Sequence, residues 1–255
     1  MSGKAGIVTG AGIGIGSAIA RHLAALGADV GVNYYMSKGG AEKTCDEIKQ
    51  IGTRALLLPC DVSKVGQVKA MVATAEKELG RIDFLVNNAG GSGHANSDFS
   101  VEESIIEDWN LIIGANLTGA FLCSRFVSPV MLAAKSGRIV NISSIAGFTG
   151  DCGPAYSAAK AGMLGLTRSC AATLAPYVQV NAILPGFVSS TAHDESLVAK
   201  MTPGRKIGTP EEVAELTGDL ITAKGTFLTG SCIVMDGGLT SGVIGLGMEW
   251  ISQRE

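Results

Sequence analysis

The 255-residue chain is 46% hydrophobic and 17% charged, with a formal net charge of −3. A chain of that length can hold one α/β domain whose core needs neither disulfides nor metals, and its slight acidity leaves no basic excess to bind a nucleic-acid backbone. Six scattered cysteines without a C-x-x-C pair, and His22, His94 and His193 outside any metal or triad spacing, argue against zinc and against histidine acid–base chemistry.

No apolar run approaches the roughly 18 residues of a membrane span and no signal peptide is evident, so a cytoplasmic protein with reduced thiols is expected. In chain order, "AGIVT" reads as a strand, "GSAIARHLAALG" as an amphipathic helix and "DVGVN" as a second strand. "KGGAEKTCDEIKQIG" is a second helix, "RALLLPCDV" a third strand and "VGQVKAMVATAEKELG" a third helix. "RIDFLVNNAG" is a strand ending in a polar turn, and a long helical region follows from about Val101 to Ala134. Then come the strand "GRIVNISS", a helix holding Tyr156, the strand "VQVNAILPG" and an irregular stretch. "TPEEVAELTGDLIT" opens with Pro and two acids, a helix start, and "SCIVMDGG" closes the pattern. Strands alternating with helices predict βαβ units, and right-handed crossovers wind them into one doubly wound parallel sheet with helices on both faces. No linker or repeat interrupts it, so a single domain is expected.

Two local features carry chemistry. The first strand runs into "TGAGIGIG" and then a helix, a context in which glycines let a pyrophosphate approach main-chain N–H groups at the helix start. About twenty residues on, where a carboxylate would bind the ribose 2′-hydroxyl of NAD, the chain has Asn33. Without that charge NADP is admitted, and Ser37 and Lys38 stand where a 2′-phosphate would come. The second feature is Tyr156 and Lys160, four apart in "AYSAAKAGMLGL" and so on one face of a helix. A close cation favours the phenolate, by roughly 1–3 pKa units.

"TGAGIGIG", "CDV", "NNAG", "ANL", "NISSIAG", "AYSAAK" and "LPG" occur in this order from about Lys4 to Gly238. The set resembles the short-chain dehydrogenases/reductases. The resemblance implies a Rossmann fold over residues 1–238, with a substrate lid near 187–207 and a tail at 239–255. It makes Tyr156 the general acid–base and Lys160 its partner, which also holds the nicotinamide ribose. Ser144, rather than Ser143, would bind the substrate oxygen, and Asn116 would complete the tetrad. Ser144 and Tyr156 are 12 residues apart, one fewer than is common. The pyrophosphate would meet Gly10, Gly14, Ile15 and Gly16, the adenine Asp61 and Val62, and the adenosine ribose Asn88. Asp61 can also be a helix N-cap, and Asn87 reads as structural. Pro185, Gly186 and Val188 would cover the nicotinamide.

Ile13 and Met36 stand where NADP-preferring members often carry basic residues, and Gln179 where arginine is frequent. The likeness leans towards 3-oxoacyl-carrier-protein reductases, with glucose 1-dehydrogenase-like sugar enzymes as the alternative. The substrate is then a ketone or secondary alcohol, possibly an acyl thioester, and the cofactor NADP or NAD. An acidic carrier would need a basic docking face, which Lys135 and Arg138 could offer, although two cations before a strand are more often just a solvated loop. A homotetramer formed through the long helices and last strand is implied. The tail runs past the usual family end; its Met248, Trp250 and Ile251 suggest docking on the body or a neighbouring subunit, with a solvated tail as the alternative. A non-catalytic nucleotide sensor is disfavoured because Tyr156 and Lys160 are both present. A serine hydrolase fails for want of a G-x-S-x-G elbow and histidine partner.

Overall fold

Apolar runs of four to eight residues form the strands. A computed structural model describes residues 1–92, 101, 105–150, 152–189 and 195–241. The strands are β1 (Ala5–Val8), β2 (Asp29–Tyr34), β3 (Ala55–Pro59), β4 (Phe84–Asn87), β5 (Gly137–Ile142), β6 (Val178–Pro185) and β7 (Cys232–Met235). They make one sheet in the order β3-β2-β1-β4-β5-β6-β7, parallel throughout. Winding reverses between β1 and β4, and the crevice at the carboxyl ends of these strands is where such sheets bind ligands.

The connecting helices are α1 (Gly14–Ala25), α2 (Lys38–Ile51), α3 (Val65–Leu79), α4 (Ile106–Ile113), α5 (Gly119–Ala133), α6 (Ala146–Thr149), α7 (Pro154–Leu174), α8 (Glu195–Met201) and α9 (Pro210–Thr222). Local chemistry sets several ends. Gly52 and Gly80 terminate α2 and α3 with left-handed residues. Thr209 and Glu212 form a reciprocal capping box at the start of α9, which Pro210 enters at its first turn.

Each sheet face has its own core. Ile19, Leu23, Val30, Val32, Ile48 and Val213 lie in one cluster, and Ile7, Val68, Leu85, Val127, Met131 and Val178 in the other. Each side chain of this size contributes about 1.5–3 kcal/mol on burial. The six cysteines form no disulfide.

The long helical region begins at Ile106, and a π-helical turn, Gly114–Thr118, divides it into α4 and α5. By length and composition alone Ile106–Ala133 could cross a membrane, an 18-residue window of it having a mean hydropathy of 1.4, although Glu107, Asp108 and Arg125 interrupt its apolar run. Its inner side, including Leu122, Cys123, Val127 and Met131, is instead part of the core. The short α6 and α8 lie in stretches without a readable period. His94, His193, Met248, Trp250 and Ile251 lie outside the described residues, as do residues 190–194 of the expected lid.

At the amino end of β5, Arg138 donates to the carbonyls of Gly137 (3.1 Å) and Ala223 (2.9 Å) and to Gln179 Oε1. Gln179, in the place where arginine is frequent, thus serves a half-buried guanidinium whose pKa burial lowers. Arg138 is not the exposed docking cation expected. Lys135 lies with its ammonium 5.9 Å from the Tyr177 ring centroid.

Candidate active site

The turn after β1 is tied to its neighbours before any ligand is considered. Thr9 Oγ1 donates to Val86 O and accepts from the N–H groups of Asn88 (2.9 Å) and Ala89 (3.0 Å). Asn88 Nδ2 donates to Thr9 O (3.0 Å) and Gly10 O (3.3 Å). Gly16 is required here, since a Cβ on it would lie 2.3 Å from Gly10 O. Gly10 and Gly14 have φ of +63° and +54°, and the space around a Cβ on Gly14 is open. Ile13, the N-cap of α1, makes no side-chain cap, and the first turn holds no acid. An open Gly14 at an uncapped helix start fits an anionic pyrophosphate.

Asn33 departs from expectation. It is 1% exposed; its Oδ1 accepts from Gly10 N–H (3.1 Å), and its Nδ2 donates to Leu58 O (3.0 Å) and Cys60 O (3.1 Å). Its amide therefore holds the glycine turn onto β3 and does not face a ribose. The residues exposed at this rim are Tyr35, Met36 and Ile13. Ser37, the N-cap of α2, makes no cap bond and packs so close that a Cβ on Gly12 would lie 2.2 Å from its Oγ. Lys38 is exposed, 3.7 Å from Glu42.

Asp61 Oδ1 accepts from Ser63 N–H (2.9 Å) and Oγ (2.7 Å), which forms a turn ahead of α3, while the N-cap itself is Lys64. Val62 is buried, with its side chain directed at Gly119 of α5, so only its main chain can meet a nucleotide. Ile15 packs on the core. Asn87 is structural: its Nδ2 donates to Ser124 Oγ and Asn141 Oδ1 beneath the site.

Helix α7 starts at Pro154, with Tyr156 and Lys160 one turn apart on the side facing β5. Lys160 is 4% exposed; its Nζ donates to Ile142 O at 2.9 Å and lies 5.4 Å from the Tyr156 ring centroid. The Tyr156 hydroxyl bonds the Ser144 side chain, and Ser144 Oγ accepts from Ala146 N–H at 3.2 Å. Ser143 points away, with its buried hydroxyl on Lys160 O. Gly147 permits this approach, because a Cβ there would lie 2.9–3.0 Å from the Lys160 main chain.

Burial pulls the Lys160 ammonium down to about 8. Burial also pushes the Tyr156 phenol up to about 12, against the lowering effect of Ser144 and with a further rise from nearby Cys152. The lowering expected from Lys160 does not figure among these effects, and in this arrangement the phenol keeps its proton.

Asn116 lies in the π-turn, fully buried. Its amide donates to Gly91 O and Ile112 O (both 2.9 Å) and accepts from Gly91 N–H (3.2 Å). The side chain clamps the turn after β4, and a Cβ on Gly90 would meet it at 2.2 Å. On the far side, Pro185 ends β6, Gly186 N–H bonds Met235 O, and Val188 bridges to Gly208. Sequence reasoning assigned no site role to Thr9 or Gly147; the Thr before the glycine turn was the available signal for the first.

Comparison with known proteins agrees with this geometry. The profile described as short chain dehydrogenase matches residues 4–202. A Synechocystis protein named 3-oxoacyl-[acyl-carrier-protein] reductase is 41% identical over 246 residues, covering 94% of this chain and 98% of its own. Nodulation protein G from Rhizobium sp. is 36% identical, with 94% and 98% covered. The crystal structure of acetoin dehydrogenase YohF from Salmonella typhimurium superposes with a TM-score of 0.87 at 31% identity, covering 97% of this chain and 99% of that one. The chain belongs to the short-chain dehydrogenase family and is an oxidoreductase acting between alcohols and carbonyls with a nicotinamide dinucleotide.

Proposed function

We propose that the protein reduces 3-oxoacyl thioesters, those carried on an acyl carrier protein included, to the 3-hydroxy compounds with NADPH. The arrangement that carries the reading is the Tyr156 hydroxyl bonded to the Ser144 side chain, one helical turn from a buried Lys160 whose ammonium donates to Ile142 O. The nicotinamide, when bound, supplies the hydride chemistry. Ser144 and Tyr156 orient the carbonyl oxygen with two O–H groups, and Tyr156 donates its proton to that oxygen as charge develops. Lys160, charged at neutral pH, favours the resulting phenolate and binds the ribose hydroxyls. Positioned proton transfer of this kind is worth about 10²–10⁴-fold. Asn116 acts through the main chain that its side chain fixes.

Gly10, Gly14 and Gly16 receive the pyrophosphate, with Ile15 supporting the turn, and Asp61, Val62 and Asn88 line the adenosine end. Pro185, Gly186 and Val188 cover the nicotinamide. Ser37 and Lys38 favour a 2′-phosphate, since no carboxylate opposes it at the end of β2. The acyl-carrier substrate is supported by the names of the 37–41% identical relatives. The working unit is one domain (residues 1–238) with a tail, in a cytoplasmic homotetramer assembled through α4, α5 and the β7 edge. The apolar side chains exposed there, Leu111, Phe121 and Val234, support that assembly.

The test follows absorbance of NADPH and NADH with a panel of 3-oxoacyl thioesters, ketones and sugars. Thioester-dependent oxidation of NADPH, lost in Tyr156→Phe while nucleotide still binds, is the expected result. Turnover of sugars alone, or no nucleotide binding by folded protein, refutes it.

A further inference from the structure

The closing "MDGG" does no chemistry in the site above, yet it is built with care. Asp236 Oδ1 accepts from Gly238 N–H (2.8 Å), and Oδ2 from the N–H (2.7 Å) and hydroxyl (2.5 Å) of Thr240. The carboxylate is thus turned into its own loop, where these donors outweigh burial and keep it below the usual carboxylate range. Gly237 and Gly238 have φ of +63° and +85°, a left-handed pair that the three bonds hold in place.

This turn touches both ends of the connection between β6 and α9. At the leading end, a Cβ on Gly186 would lie 2.8 Å from Asp236 Cβ, and Gly186 N–H bonds Met235 O at 2.9 Å. At the trailing end, Gly204 N–H bonds Gly237 O at 2.8 Å, and Thr202 Cγ2 lies 2.6 Å from where a Cβ on Gly237 would stand. Pro203 packs on Gly238. The two ends also bond each other, Ser189 N–H to Gly208 O (2.8 Å) and Gly208 N–H to Phe187 O (3.0 Å).

We propose that Asp236 is a positioning residue: by fixing the 236–240 turn it seats both ends of the β6–α9 connection beside the catalytic groups. The catalytic side of this inference rests on the proposed function, in which Pro185–Val188, where the connection starts, cover the nicotinamide. Asp236 contacts no reacting group and acts only through the turn.

The experiment compares Asp236→Ala, Thr240→Val and Thr240→Ser with wild type by limited trypsin digestion of the nucleotide-free protein. Cleavage after Lys200, Arg205 and Lys206 is followed by mass spectrometry, with Lys69 and Lys77 on α3 as internal controls. Asp236→Ala should speed cleavage in the connection at least about fivefold over the controls, as expected for a raised local opening population. Thr240→Val should lie between, and Thr240→Ser, which restores the hydroxyl, should match wild type. In turnover, Asp236→Ala should raise KM for the carbonyl substrate about tenfold with kcat within about threefold. Should Asp236→Ala fail to fold, the Thr240 pair carries the test. Unchanged cleavage at the three sites, cleavage rising equally at the controls, or no rescue by serine overturns the proposal. Absence of turnover of 3-oxoacyl thioesters in wild type would sink the proposed substrate reading alone, since the digestion result stands apart from it.

Discussion

Replacing Lys160 with methionine should make the nucleotide-free protein more stable at neutral pH while abolishing its chemistry. The ammonium is fully buried and its pKa falls from 10.5 to about 8. Between those values the unfolded chain holds the proton and the folded one does not, so stability rises with pH across that window. A displacement of this size corresponds to about 3 kcal/mol carried against folding at pH 7, and less than about 1 kcal/mol at pH 10. Methionine removes that burden but leaves Ile142 O without its donor, a loss of about 1 kcal/mol. The net gain at pH 7 is about 2 kcal/mol, or a Tm higher by about 4–8 °C for a chain of this size. Thermal unfolding at pH 7 and pH 10, at one fixed protein concentration and without nucleotide, measures it. The gain should vanish or reverse at pH 10. A variant less stable than wild type at pH 7, or a difference that does not change with pH, would show that the ammonium is better solvated than its burial implies.

Three further outcomes follow from the geometry. Asn33→Asp should destabilise by at least about 2 kcal/mol in urea unfolding, not switch the cofactor, because a carboxylate would face Leu58 O and Cys60 O with no donor to offer. Gly16→Ala should lose nucleotide affinity by about tenfold or more in fluorescence titration, since its Cβ would lie 2.3 Å from Gly10 O, a backbone atom that moves only with the turn. Asp83, paired with Lys4 and Arg81 and accepting from Ala5 N–H, stays below its ordinary pKa in spite of burial. Its contribution is present above the ordinary carboxylate pKa and lost as pH falls through the lowered one. Asp83→Asn should therefore lower Tm at pH 7 and converge on wild type at low pH.

The strands and long helices were legible because each buries a continuous apolar run or stripe, and the Tyr156–Lys160 pair because four residues make one turn. What was not legible depends on partners distant in sequence. The inward rotation of Asn33 is decided by carbonyls 25 and 27 residues away. Arg138 is drawn inside by Gln179 and Ala223. The direction of the Tyr156 shift fails at sequence level for a related reason: spacing reveals the neighbouring cation but not the burial that opposes it. The π-turn that carries Asn116 has no period of its own to read.

The knot of Thr9, Gly10, Asn33 and Asn88 joins three strand ends through the chain's own hydrogen bonds. A cradle already ordered in this way loses little conformational freedom when a dinucleotide settles on it, so less of the contact energy is absorbed by ordering. Association at the pyrophosphate should accordingly proceed in one kinetic phase, with rates proportional to nucleotide concentration and no slow rearrangement behind it.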